Sequence, residues 1–344
     1  MKYMTGIMMA LLISIAGCGK NDSKPVVPVA PTHLVVKAVV NTDSSGVVAF
    51  TAVAENAVTY DYDFGNGTYQ TVANGIVNYQ YTVPGKNTYT VTVTAKSADN
   101  LTTKESIQVE VSIATSLYWS DEFNTDGAPD PAKWGYDIGN GSNGWGNAES
   151  QYYTNRTENV VIANGVLKIK AIKENFSGSA YTSARILTKD KFAFKYGKIE
   201  VSAKLPEGLG TWPAIWMLGS NVSTVDWPAC GEIDIMEHKG SEPNKIYGTL
   251  HYPGHSGGNA VGGTVQVSNE TTAFHKYAMD WSPSLIRFYV DDQLYYSFTN
   301  TSSLPFNHDF FIILNFAMGG AFGGAIDPAF TNATMEVDYV RVYR

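Results

Sequence analysis

Three carboxylic acids, Glu232, Asp234 and Glu237, fall within six residues in the run 227–238, WPACGEIDIMEH. Read as a β-strand, the run puts Glu232 and Asp234 on one face and Ile233 and Ile235 on the other, because side chains alternate along a strand. Glu237 stands at an odd offset and would point away, unless a one-residue β-bulge around Ile235–Met236 restores the phase. Cleavage of a glycosidic bond uses two carboxyls, one protonated to release the leaving oxygen and one ionised on the other side of the sugar. With the bulge, the backbone between Glu232 and Glu237 spans about 13 Å, four strand steps of about 3.3 Å. Side chains leaning together reach the ~5–5.5 Å separation of retaining enzymes, and this spacing does not exclude the wider inverting separation. Like charges raise one another's pKa, which separates a proton donor from an ionised partner. On this reading Glu232 is the nucleophile, Glu237 the acid/base, and Asp234 the hydrogen-bond partner and electrostatic support of Glu232. A solvated acidic strand or a calcium site is the other use of such a run. Cys230 reads as a small buried apolar residue, since no histidine partner accompanies it locally.

These side chains need strands to hold them, and the chain supplies strands almost exclusively. Residues 33–114 alternate in period two through LVVKAVV, VVAFTAVA, TYTVTVTAK and SIQVEVSI, with turn signals between them. That spacing predicts an immunoglobulin-like antiparallel β-sandwich. Residues 115–344 carry all seven tryptophans, and every histidine except His33. They contain further strand-like runs, with hairpin signals at Asn164-Gly165 and Asp291-Asp292. No segment sustains helical periodicity. The expected fold class is all-β, a small sandwich followed by a larger one whose curved sheets leave a concave face.

The first 32 residues read differently. Lys2 precedes an apolar run, Ile7 to Ile15, too short to span a bilayer. It ends in Ile15-Ala16-Gly17-Cys18, which resembles a bacterial lipoprotein box: a signal peptide over 1–17, lipidation at Cys18, and a polar, proline-bearing tether over 18–32. Acylated Cys18 would leave Cys230, the other of two cysteines, without an intrachain partner. A net charge of −8, with 16% charged residues, argues against binding a phosphate backbone and is compatible with a neutral ligand.

The catalytic run, preceded by TWPAIWML at 211–218, opened by WSDEF at 119–123 and closed by DYVRVY at 338–343, resembles family-16 glycoside hydrolases of the laminarinase type. The resemblance covers about Leu117 to Arg344. It implies a β-jelly roll with a substrate cleft on the concave sheet, and a retaining mechanism on the E-x-D-x-x-E strand. It also implies endo-action on β-1,3- or mixed β-1,3/1,4-glucan, with no cofactor for catalysis. Strict mixed-linkage members resemble E-I-D-I-E-F, without the extra residue, so this chain sides with the laminarinases. Within GWGNAESQYY at 144–153, Trp145, Asn147 and Glu149 resemble the subsite for the sugar beyond the cut.

Trp212 and Trp216 share a strand face and can stack on sugars; Trp227 would be a platform on a loop. Arg185 can reach sugar hydroxyls or form a structural ion pair, and His251 resembles the family's cleft histidine. The resemblance further implies a structural calcium at Asp338, with oxygens near Glu122 and Gly165. The segments YDYDFGNG at 60–67 and YTVPG at 81–85 resemble PKD-type immunoglobulin-like modules, although those carry Trp at the place of Tyr62 and Asp at that of Asn66. Together these readings describe a monomeric lipoprotein of the bacterial outer membrane, facing the periplasm or the exterior, that degrades β-glucan. A non-catalytic glucan binder, a transglycosylase or a galactan hydrolase on the same scaffold are the alternatives.

Overall fold

Strands dominate the computed structural model, which describes residues 27–344. The lipoprotein box, Cys18 and most of the tether lie outside the described residues. Two compact units are distinguished: 27–37, 50–77 and 91–107 in one, and 38–49, 78–90 and 108–344 in the other. In the first, Phe50, Tyr62 and Phe64 bring their rings within 5.7–5.9 Å of one another. The buried Tyr62 hydroxyl donates to the Gly75 carbonyl at 2.7 Å. Strands up to Ile113 form two small sheets, ordered Thr32–Val40, Val47–Glu55, Ile76–Gln80 and Tyr69–Val72, Thr59–Asp63, Gly85–Lys96, Thr102–Ile113.

The second unit contains a two-sheet β-sandwich of the jelly-roll kind. Its ten-stranded sheet centres on Asn332–Tyr343, flanked by Gly197–Lys204 on one side and by Val166–Phe176 and Leu117–Asp121 on the other. The seven-stranded sheet runs Val261–Gln266, Lys245–His251, Glu232–His238, Thr211–Gly219, Phe310–Met318, Arg185–Leu187, Gly135–Tyr136. One face of this second sheet packs into the core through Ile215, Met217, Ile233, Met236, Leu250, Ile312 and Leu314, against Ile199, Val201, Met279, Phe288 and Val340 of the other sheet. Burial of each such side chain contributes about 1.5–3 kcal/mol.

Hairpins form at both sequence signals. Asn164-Gly165 (φ 58°, 75°) and Asp291-Asp292 (φ 48°, 64°) each adopt two left-handed residues, the geometry that matches strand twist. Phe310–Met318 is buried along its whole length. Its second face is covered at one end by a small apolar group of Leu187, Phe311 and Ile313 with Trp216, Leu218 and Val222. Asn315 is the only polar residue in that strand, and it lies where the functional side chains gather.

Candidate active site

The acidic strand Glu232–His238 carries a one-residue bulge. Against Lys245–His251 the register reads Glu232↔His251, Ile233↔Leu250, Asp234↔Thr249, then Glu237↔Tyr247, so three steps on one strand oppose two on the other. Against Thr211–Gly219 it reads Asp234↔Trp216, then Met236↔Ile215 and Glu237↔Ala214. Ile235 is therefore the extra residue; it and Met236 both sink into the core at 1% and 0% exposure. The consequence is that Glu232, Asp234 and Glu237 share the open face of the sheet. Gly248 lies opposite the bulge, and a Cβ there would collide with the Tyr295 hydroxyl.

Each carboxyl has distinct partners. Glu237 accepts from Trp212 Nε1 at 3.1 Å and from Thr249 Oγ1 at 3.1 Å. Asp234 is buried, with Oδ2 3.1 Å from His251 Nε2, and Glu232 Oε1 lies 3.6 Å from the same nitrogen. Burial, and next the charge of Asp234, push Glu232 up to about 8. Burial lifts Asp234 well above the usual carboxylate range, with Glu237 adding to it. Burial also raises Glu237, against the opposing pull of His251 and of its two hydrogen bonds. The cluster thus retains protons at neutral pH, with Arg185 among the few positive charges acting on it.

Beyond Asp234 a polar chain crosses the sheet. Trp216 Nε1 donates to Asn315 Oδ1 at 2.7 Å, Asn315 Nδ2 to the Tyr153 hydroxyl at 2.9 Å, and that hydroxyl to Glu149 Oε2 at 3.1 Å. Gln151 Nε2 and Asn147 Nδ2 also donate to Glu149, at 2.6 and 3.2 Å. Trp145 sits in a turn, Gly144–Ala148, and it, Ala148 and the preceding Asn143 all have positive φ. Such strain in non-glycine residues collects at functional sites.

The Arg185 guanidinium lies between two indoles, 4.7 Å from Trp216 and 4.8 Å from Trp145, and its Nε is 2.9 Å from Asp137 Oδ2. The ion pair that the sequence left open for Arg185 is present. At the other end of the open face Trp212 packs on Phe322 (5.3 Å), which meets Tyr247 (5.1 Å). Trp227, 46% exposed, stands 5.8 Å from the His251 ring.

The site thus joins Glu232, Asp234, Glu237, His251, Trp212, Trp216 and Trp227 at its centre, and Trp145, Asn147, Glu149 and Arg185 towards one end. Asn315, Tyr153, Gln151, Thr249, Phe322 and Asp137 escaped the sequence reading. Only Asn315 carried a local signal, as one amide in an apolar strand. Cys230 is buried and free, its thiol pushed up to about 11 by burial.

The candidate metal residues lie away from this face. Leu117–Asp121 and Val166–Phe176 pair end to end along one edge of Asn332–Tyr343, with Asp121 opposite Val340 and Leu167 opposite Val337. Residues 338 and 339 face the gap between them. Asp338 is exposed, is the unpaired residue of a bulge, and has no partner among the described residues. The Glu122 carboxylate is held by Arg341 at 3.0 and 2.7 Å, leaving its backbone carbonyl; Gly165 offers a carbonyl only. A carboxylate and backbone carbonyls are donor types that calcium takes, six to eight oxygens at a time with water completing the set.

Comparison with known proteins places this arrangement in a class. The model of glycosyl hydrolases family 16 matches residues 147–341. A second model, for beta-glucan synthesis-associated proteins SKN1/KRE6/Sbg1, matches residues 57–233 and ends before Asp234. A beta-glucanase of Rhodothermus marinus is 48% identical over 244 residues, covering 66% of this chain and 85% of that protein. The glucan endo-1,3-beta-glucosidase A1 of Niallia circulans is 40% identical over 258 residues, 67% of this chain and 38% of that protein. The X-ray structure of the laminarinase from Rhodothermus marinus superposes with a TM-score of 0.64 at 47% identity, covering 67% of this chain and 98% of that one. The chain belongs to glycosyl hydrolases family 16.

Proposed function

We propose that the protein hydrolyses β-1,3-glucan of the laminarin type internally, and mixed-linkage β-1,3/1,4-glucan as well, by double displacement with retention. The observation that carries this reading is the bulge at Ile235, which returns Glu237 to the face of Glu232 and Asp234. Glu237 protonates the leaving oxygen, Glu232 attacks the anomeric carbon, and Glu237 then activates water to release the glycosyl-enzyme. Asp234, lifted well above its ordinary range by burial, keeps a proton; once neutral it no longer contributes the charge that raises Glu232, which then ionises more readily. Trp212, Trp216 and Trp227 offer indole faces to sugars, and Trp145, Asn147 and Glu149 bound the subsites beyond Trp216. The names of the relatives support the glucan assignment.

No metal enters this chemistry. Calcium at Asp338, with the carbonyls of Glu122 and Gly165, would tie together three strand segments at the back of the site. Lipidation at Cys18 would place the enzyme on the outer membrane, with the strands of 33–114 as a PKD-type spacer.

Incubation with laminarin, lichenan and barley glucan, followed by a reducing-end assay, tests the reading. New ends from laminarin are expected first. Glu232→Gln and Glu237→Gln each lower turnover on the order of 10³-fold while glucan binding persists. Binding without new ends in the wild type would favour a glucan-binding protein; products longer than the substrate would favour a transglycosylase.

A further inference from the structure

His251 turns one ring nitrogen towards carboxylates. Its ring nitrogens have unlike surroundings. The backbone N–H of Gly257, in the loop that follows the strand, donates to Nδ1 at 3.1 Å. A nitrogen that accepts an N–H carries no proton of its own, so a neutral ring must hold its hydrogen on Nε2. That N–H points between Asp234 Oδ2 at 3.1 Å and Glu232 Oε1 at 3.6 Å. It meets neither head-on, and Asp234 Oδ2, in a residue 4% exposed, has no aligned donor among the described residues.

Resting on the reading above, we infer that His251 is a positioning residue whose Nε2–H tautomer, fixed by the Gly257 backbone, decides where the protons of the acidic cluster sit. Asp234 Oδ2, the nearer oxygen at 3.1 Å, is the one that N–H faces as an acceptor, so the proton of a neutral Asp234 belongs on Oδ1. Glu232 Oε1 lies 3.6 Å from the same N–H, so a proton held by Glu232 belongs on Oε2, leaving Oε1 as the oxygen that attacks. The other tautomer would aim two donors, Nδ1–H and Gly257 N–H, at each other, and would let Nε2 draw a proton from Glu232 or Asp234. The same tautomer bars a divalent cation from the triangle of Glu232, Asp234 and His251, whose ligating atoms lie within 4.8 Å of one another, because Nε2 has no free lone pair. The charged and titratable groups facing the ring are Glu232 and Asp234 beside it, with Glu237 and Arg185 acting on the same cluster.

The test pairs spectroscopy with three variants. In the ¹⁵N-labelled full chain, the His251 ring should show a protonated Nε2 and a bare Nδ1 through the neutral range. Glutamine places an amide N–H near the position of Nε2, whereas asparagine places one near Nδ1. His251→Gln should therefore keep kcat within about fivefold, while His251→Asn and His251→Ala lose on the order of 10²-fold, as for a misplaced reacting group. KM should change less than twofold in all three, and the acidic limb of the pH profile should move to higher pH in the Asn and Ala variants only. A protonated Nδ1, or a tenfold rise in KM with kcat intact, would overturn the inference. The spectrum needs no turnover, so a wild type inactive on β-glucan would remove the proposed function and leave the tautomer tested.

Discussion

A carboxyl at the place of Glu232 is easier to bury than to charge. Its ordinary value of 4.5 rises to about 8 in the folded chain, through burial first and Asp234 second. The folded state therefore binds a proton more tightly than the unfolded one. This contribution to stability is complete below about pH 4.5 and is lost as pH rises towards 8. Melting temperature should fall between about pH 5 and pH 8, and in Glu232→Gln, which has no charge to bury, it should fall less. At this size each kcal/mol corresponds to about 2–4 °C. Parallel melting curves of the two proteins across that range check the claim; identical slopes would mean that Glu232 ionises without penalty. The three acids, Trp212 and Trp216 were legible from residue type and spacing, whereas Trp145 came through the family resemblance. The partners that orient them were not, because Tyr153, Asn315 and Thr249 lie far apart in the chain and meet only through strand register.

At the scale of the element, the bulge shows how a strand can violate its own alternation and keep its core. Ile233, Ile235 and Met236 all remain buried while three acids share one face. That outcome could be anticipated, since the odd offset of Glu237 demands one extra residue. What sequence spacing did not reveal is the accommodation on the neighbouring strand. Gly248 is required there because the Tyr295 hydroxyl occupies the space of a side chain, with Phe288 also close. Gly248→Ala should destabilise by about 1–3 kcal/mol through overpacking, and the added change Tyr295→Phe should restore part of the loss. Chemical denaturation of the two variants measures both effects. No recovery in the double variant would place the strain at Phe288 or in the backbone instead.

Across the whole molecule, the all-β class and the second, larger sandwich followed from alternation, hairpin signals and the scarcity of helical periodicity. Asn164-Gly165 and Asp291-Asp292 turn with two left-handed residues each. Sheet order was not readable, since Phe310–Met318 enters beside Thr211–Gly219 from almost a hundred residues away. The same long-range order creates the gap that faces Asp338. Calcium there, at ten times its dissociation constant, would add about 1.4 kcal/mol. Chelation should then lower the melting temperature by about 3–6 °C, and Asp338→Asn should abolish the difference; a chelator-insensitive wild type would leave the gap without a metal.

The central claim is that Glu232 attacks the anomeric carbon from the side opposite the leaving oxygen that Glu237 protonates. Proton NMR of laminarin cleavage within the first minutes, before mutarotation, reads it directly. The account predicts that new reducing ends appear as the β-anomer and drift to the equilibrium mixture. Ends born as the α-anomer would mean that water, not Glu232, meets the anomeric carbon.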